Sequence, residues 1–240
     1  MLIVSIIAVI CAYIIKGMCG FANTLIFSTI MSFTTSNINI SPIDLIVGYP
    51  SNIFIVWKER KSISTKIFLP LAGMVIVGVI PGVLFLSKGD VTLIKTLFGF
   101  VVFFIGIEMF LRDMQKEKKK SSKLLLTVIG IMTGLLSGLF GIGALLVAYT
   151  SRTTENKNQF RGNTCTVFLI ESTVRIILYT VTGIINLAVI KKAVILLPFM
   201  LIGLFIGTML SNKSSEKLIK KAVILVLILS GISIIINNLL

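Results

Sequence analysis

The side chains best suited to chemistry in this sequence are a Glu171–Arg175 pair, a lone Lys16 and two glycine-rich stretches. Histidine is absent, which removes the usual general base and the commonest ligand of zinc and haem. Cys11, Cys19 and Cys165 are odd in number and share no CxxC spacing, so neither a disulfide framework nor a metal cluster is expected. No nucleophile-elbow serine and no paired intramembrane aspartates are present, so covalent and acid–base catalysis lack a constellation. Neither an enzyme nor a bound cofactor is expected.

What remains is the handling of charge. Glu171 and Arg175 lie four apart, on one face of a helix. The pair is either a structural ion pair or a proton-carrying carboxylate gated by an arginine. Lys16 can counter a bound anion or snorkel to water. The glycine-rich stretches are Lys16-Gly17-Met18-Cys19-Gly20-Phe21-Ala22-Asn23 and Ser137-Gly138-Leu139-Phe140-Gly141-Ile142-Gly143-Ala144. A helix that restarts after such a break offers unpaired N–H groups and the positive end of its dipole, which together suit an anion. Close helix packing is the alternative, because Gly130, Gly134 and Gly138 form a small-residue ridge. Gly78/Gly82 and Gly203/Gly207 have the same spacing and are read as packing positions.

The candidate substrate-binding residues are therefore Lys16, Gly17, Gly20, Phe21 and Asn23 at the first break, and Gly138, Gly141 and Gly143 at the second. Tyr49 and Asn52 join them, because Pro50 between them is expected to kink the span Leu45–Trp57 and expose a carbonyl. Arg161 and Arg175 complete the set, and Glu171 is the proton-coupling candidate. Asp44 and Glu108 fall nearer the ends of spans and are expected to be wetted.

The elements that carry these residues follow from composition. The chain has 240 residues, 56% apolar and 13% charged, with mean hydropathy +1.05. Soluble domains average about 45–50% apolar and about 25% charged, so a polar surface cannot cover this chain. Phe68–Leu86, Val91–Leu111 and Ala222–Ile236 are near-continuous apolar runs that approach the roughly 20 residues needed to span hydrocarbon. This reads as an all-α polytopic membrane protein. Its net charge of +14 is then a topology signal rather than a nucleic-acid footprint. Met1–Lys16 lacks a basic leader and an A-x-A site, so a cleaved signal peptide is not expected.

Two long apolar stretches, Leu2–Phe33 and Leu124–Tyr149, carry the breaks, and six plainer spans lie near 42–57, 67–86, 91–111, 162–183, 191–210 and 218–236. The order is broken segment, three spans, broken segment, three spans. A shift of 125 over 78–107 gives nine identities, among them Gly78/Gly203, Gly82/Gly207, Lys88/Lys213 and Gly106/Gly231. The breaks themselves align at a shift of 121. The chain thus divides into repeats at 1–115 and 124–240, joined by a basic linker at 116–123.

Eight full crossings would leave no charge bias between the two sides. If each broken segment enters halfway and returns, six crossings remain. Seventeen of the 23 Lys/Arg, in 58–66, 112–123, 152–161 and 213–221, then share one side. Four, Lys88, Lys95, Lys191 and Lys192, take the other. That split follows the positive-inside rule. The arm Leu2–Ile15, about 21 Å as helix, is a partial span. Three crossings per repeat make the repeats inverted, each a re-entrant hairpin plus three transmembrane helices. Both termini are then outside a plasma membrane.

The first glycine break, the second break Gly138-Leu139-Phe140-Gly141-Ile142-Gly143-Ala144, the segment Phe160-Arg161-Gly162-Asn163, the helix Val174-Arg175 to Tyr179 and the closing Thr182-Gly183-Ile184-Ile185-Asn186 resemble the sulfite exporter TauE/SafE family over essentially the whole chain. The resemblance implies a permease that moves sulfite or another small sulfur-containing or organic anion, with coupling to protons. The expected function is a secondary transporter, an exporter, with an anion-selective channel as the alternative. Its partners are a small anion and the lipid bilayer, not nucleic acid; monomer and homodimer both stay open.

Overall fold

The computed structural model describes residues 2–34, 37–88, 123–143 and 156–210 continuously, with isolated residues between 90 and 111, between 146 and 154, and at 228 and 232. Among the described residues every regular element is helical. The helices are α1 (Leu2–Cys19), α2 (Asn23–Ser32), α3 (Asn37–Glu59), α4 (Thr65–Lys88), α5 (Lys123–Phe140), α6 (Lys157–Val181) and α7 (Leu187–Leu210), with a 3-10 turn at Arg60–Ser62. The expected spans near 91–111 and 218–236 lie largely outside the described residues, as does the linker at 116–123.

Among the described residues, four stretches are long and apolar enough to cross a membrane: Asn39–Ser62, Thr65–Lys88, Asn158–Val181 and Leu187–Leu210, each of 24 residues. Such a helix is about 36 Å long, against roughly 30 Å of hydrocarbon. On α7, Ala193, Leu196, Met200 and Leu204 form a buried stripe at helical spacing. Val194, Ile195, Leu201, Ile202, Phe205 and Met209 are exposed on the other side. A helix apolar on every side suits lipid rather than water as its solvent.

The breaks differ from the expectation in where they start. Lys16 and Gly17 belong to the last turn of α1, and Ser137 and Gly138 to the last turn of α5. Among the described residues, the interruptions begin at Gly20 and Gly141, still 121 positions apart, and take in Gly20-Phe21-Ala22 and Gly141-Ile142-Gly143. The stop signal is the left-handed glycine, with φ 88 at Gly20 and 74 at Gly141. Each donates its N–H to the carbonyl four residues back, Gly20 to Lys16 at 2.6 Å and Gly141 to Ser137 at 2.8 Å. That is the αL C-cap motif, which needs a residue without a Cβ penalty. Gly17, inside the last turn of α1, does not end the helix and instead faces Leu204 and Gly207 of α7.

The restart is matched as well. Ile26 N donates to the Ala22 carbonyl and Val147 N to the Gly143 carbonyl, both at 3.1 Å. After the first break the chain doubles back, since Asn23 at the start of α2 reaches Tyr13 while Ser5 meets Met31 near the far end of α2. α1 and α2 are thus a helical hairpin.

The chain forms two compact units that interleave in sequence. One comprises Met1–Asp44, Gly89–Glu117 and Lys191–Leu240, the other Leu45–Lys88 and Lys118–Ile190. Each holds one break and a Gly-x-x-x-Gly helix from the other half of the chain. In the first unit, a Cβ on Gly203 would lie 2.7 Å from the Ile10 carbonyl oxygen and one on Gly17 2.7 Å from that of Leu204. In the second, a Cβ on Gly82 would lie 2.5 Å from the Leu135 carbonyl oxygen and one on Gly138 2.6 Å from that of Val79. α7 therefore packs backbone to backbone on α1, and α4 on α5. Hydrocarbon supplies no hydrophobic drive between helices, so such close approach is how they gain contact.

Candidate functional site

The first break builds a polar cluster inside the first unit. Lys16 is 3% exposed, with its Nζ 5.6 Å from the centre of the Tyr13 ring, one turn earlier on α1. Asn23 and Thr24 open α2, and both turn toward Asp44 of α3. Asn23 Nδ2 donates to Asp44 Oδ1 at 3.4 Å, and reaches Tyr13 Oη at 3.4 Å and Thr24 Oγ1 at 3.3 Å. Thr24 Oγ1 donates to Asp44 Oδ2 at 2.5 Å.

Asp44 is 3% exposed, so the expectation that it is wetted is corrected. α3 begins at Asn37, which sets Asp44 two turns inside the helix rather than at a span end. Its partners lie 20 and 21 positions earlier, beyond the reach of any local pattern. The sequence signal that was available is the presence of an acid in an otherwise apolar span, where an ionisable group is a functional candidate by default.

The backbone at this break is open in a particular way. The helix N-cap is Ala22, with φ 74 and no side-chain capping bond. Asn23, Thr24 and Leu25 precede the first intrahelical bond, so helix geometry leaves their N–H groups without an intrahelical acceptor. Phe21 in the break is half-buried, and Gly20 is buried. Gly17, by contrast, sits in the α1–α7 seam.

The second break has a cluster of similar chemistry inside the second unit. Glu171 and Arg175 of α6 form a buried ion pair, Nε to Oε1 at 3.3 Å. Ser137 Oγ donates to Glu171 Oε1 at 2.8 Å and Ser172 Oγ to Oε2 at 3.3 Å. Arg175 also donates to the Ser137 carbonyl, the acceptor that Gly141 uses. Tyr179 Oη donates to the Gly138 carbonyl at 2.8 Å, and the Arg175 guanidinium lies 5.8 Å from the Tyr179 ring centre. A cation at the carbonyl end of a helix complements its dipole, so Arg175 fastens the broken end of α5. Gly143 lies beneath Phe168, whose ring occupies the space of a Cβ.

Each break therefore carries one buried cation over a tyrosine ring and one buried carboxylate that accepts from a hydroxyl at the break. Lys16, Tyr13, Asp44 and Thr24 supply this at the first, and Arg175, Tyr179, Glu171 and Ser137 at the second.

Other candidates fall elsewhere. Tyr49 Oη meets Thr173 Oγ1 at 3.0 Å, and Asn52 is buried on α3, which runs unbroken through Pro50. Arg161 is buried, with a buried Nε that has no hydrogen-bond partner among the described residues. It precedes Arg175 by fourteen residues on α6, about 21 Å along the axis, so the two cannot hold one small anion. The neighbours of Arg161 are structural. Asn163 Oδ1 accepts the Ser64 N–H at 2.9 Å, and a Cβ on Gly162 would lie 3.0 Å from Ile63 and 3.3 Å from Glu59. Together they seat α6 on the α3–α4 connection. Thr182–Asn186 is a tight turn, with Gly183 at φ 73 and Asn186 Oδ1 accepting the Val189 N–H at 3.0 Å.

No solved structure matches the chain. A protein described as "Probable sulfite/organosulfonate exporter TauE", from Cupriavidus necator, is 28% identical over 139 residues, 55% of this chain and 54% of that protein. The chain thus matches about half the length of this curated relative. The profile described as "Sulfite exporter TauE/SafE" matches residues 5–234, a range that takes in both breaks, both seams and all four long apolar helices. On that match the chain belongs to the sulfite exporter TauE/SafE family, a family of membrane transporters.

Proposed function

We propose that this protein is a secondary transporter that exports a small sulfur-containing anion, sulfite or an organosulfonate, across the plasma membrane with proton coupling. One observation carries the reading. Two helix breaks 121 positions apart share the same left-handed glycine, the same restart bond and a cation–tyrosine–carboxylate cluster. A restarted helix with uncapped N–H groups binds an oxoanion through backbone donors. The name of the Cupriavidus necator relative, a probable sulfite/organosulfonate exporter, supplies the substrate class.

In this reading the repeats 1–115 and 124–240 are inverted and each broken segment is re-entrant. The linker 116–123 faces the cytoplasm, and both termini lie outside. Asn23 at the first break and Gly143 at the second offer N–H groups to an anion at their own break, Gly20 and Gly141 let the backbone come close to it, Phe21 lines the first break, and Lys16 is the counter-charge there. Gly17 and Gly138 let α7 and α4 pack close behind the broken ends, Tyr49 and Asn52 line the path, Arg161 and Arg175 lend positive potential, and Glu171 is the proton-coupling candidate at the second break.

The test is the purified protein reconstituted in liposomes with sulfite, thiosulfate, sulfonates and small carboxylates. Accumulation of one of these against its gradient, driven by a proton gradient, is expected. Flux that only dissipates gradients would make the protein an anion-selective channel. No flux of any anion would refute transport.

A further inference from the structure

The carboxylate of Asp44 lies where an incoming anion would compete with it. Its two oxygens accept from the side chains of Asn23 and Thr24, the first two residues of α2. It is also an acid buried beside the positive end of a helix dipole, where negative charge is favoured. From this geometry, and resting on the anion-transport reading above, we infer that Asp44 couples the proton to the anion at the first break. While ionised it holds the start of α2 as an internal anion. When it takes up a proton, the charge leaves and Asn23 and Thr24 turn to the transported anion.

The physical reason is charge crowding. Two negative groups a few ångströms apart in a buried site cannot both stay ionised at low cost, so one takes a proton. Linkage makes the effect reciprocal: anion binding raises the proton affinity of Asp44, and protonation raises the anion affinity. Among the described residues, the other titratable groups of this cluster are Tyr13, which Asn23 reaches, and Lys16, whose Nζ lies over the Tyr13 ring, both on α1. α2 carries none, and Lys191 and Lys192 of α7 are exposed at its start. Lys16 keeps its charge through the cycle as a fixed counter-charge, and Tyr13 shares Asn23 with Asp44. One proton moving with a dianion leaves one net negative charge, which a membrane potential negative inside drives outward.

The experiment measures binding of methanesulfonate to the purified full chain in lipid nanodiscs between about pH 5 and about pH 8, a range in which one linked proton changes affinity by up to tenfold per pH unit. Methanesulfonate keeps one charge over this range, so any slope belongs to the protein. Wild type is expected to bind more tightly as pH falls, with a slope that approaches tenfold per unit. Asp44→Asn is expected to bind independently of pH, and at the alkaline end at least as tightly as wild type does at the acid end. Thr24→Val, which removes the shorter bond to the carboxylate, is expected to keep the slope and move its midpoint to higher pH. It also decides the matter if Asp44→Asn does not fold. A retained slope in Asp44→Asn overturns the inference. So does a folded Asp44→Asn that binds at no pH, or a Thr24→Val midpoint that does not move. If wild type binds neither methanesulfonate nor sulfite at any pH, the transport reading itself falls, and this inference with it.

Discussion

Ala22 holds a left-handed backbone, φ 74, at the N-cap of α2, a conformation that costs a residue with a Cβ about 1–2 kcal/mol. Ala22→Gly is therefore expected to raise stability by about 1 kcal/mol, measured by thermal unfolding in detergent, and Ala22→Val to lower it. Lys16→Ala should weaken anion binding by roughly 1–3 kcal/mol, the range for losing a bond to a charged group, with Lys16→Arg recovering part of it; titration of both variants checks this. Glu171 and Arg175 answer to a different test, because their pair is buried and Arg175 also fastens the end of α5. Glu171→Gln leaves a buried guanidinium without its counter-charge and is expected to cost about 3–5 kcal/mol. Adding Arg175→Gln should restore much of that loss. An unchanged unfolding temperature in the single variant would show that the pair does not support the fold, and would leave Glu171 to proton transfer alone.

At the scale of elements, glycines that look alike in the sequence do different work. Gly73 and Gly78 both lie on α4, yet a Cβ on Gly73 meets nothing within 4 Å while one on Gly78 meets the backbone of α5. Gly73→Ala is expected to be neutral or to stabilise by about 0.5–1 kcal/mol, since glycine is a poor interior helix residue. Gly134→Leu and Gly207→Leu, one in each seam, are expected to destabilise by on the order of 3 kcal/mol through overpacking. Denaturation of the three variants in one detergent gives the comparison. Equal stability of Gly73→Ala and Gly207→Leu would show that the seams are not close-packed. The spacing of four already suggested packing at Gly78/Gly82 and Gly203/Gly207. Which helix each pair meets became visible only in the fold, because the partner arm belongs to the other half of the chain.

For the whole molecule, the two compact units cut across the sequence halves. Each broken arm is closed by a helix from the opposite half of the chain. The proposed orientation is open to labelling. In a background without Cys11, Cys19 and Cys165, single cysteines at Ser122 and Asn212 should be shielded from an impermeant thiol reagent in intact cells. A cysteine at Asn37 should react. A shielded Asn37 would mean that the first broken segment does not return to its starting side, and the inverted arrangement would be wrong.

Composition alone determined the solvent of this protein, because 56% apolar residues cannot be hidden inside 240. Local pattern determined the long helices and the existence of two breaks, since apolar run length and the glycine stop are readable within one or two turns. Even here the first glycine of each motif misled. Lys16 and Ser137 stay helical until a glycine that adopts positive φ ends the helix, and φ is not written in residue type. What only the tertiary structure decided is who meets whom at the breaks. Asp44 and Thr24 are 20 positions apart, Ser137 and Glu171 34, Ser137 and Arg175 38, and Gly138 and Tyr179 41. Pairings at that separation depend on how helices cross, not on any periodicity within them. A buried carboxylate therefore looked like a wetted span end until the helix that starts at Asn37 carried it against the first break.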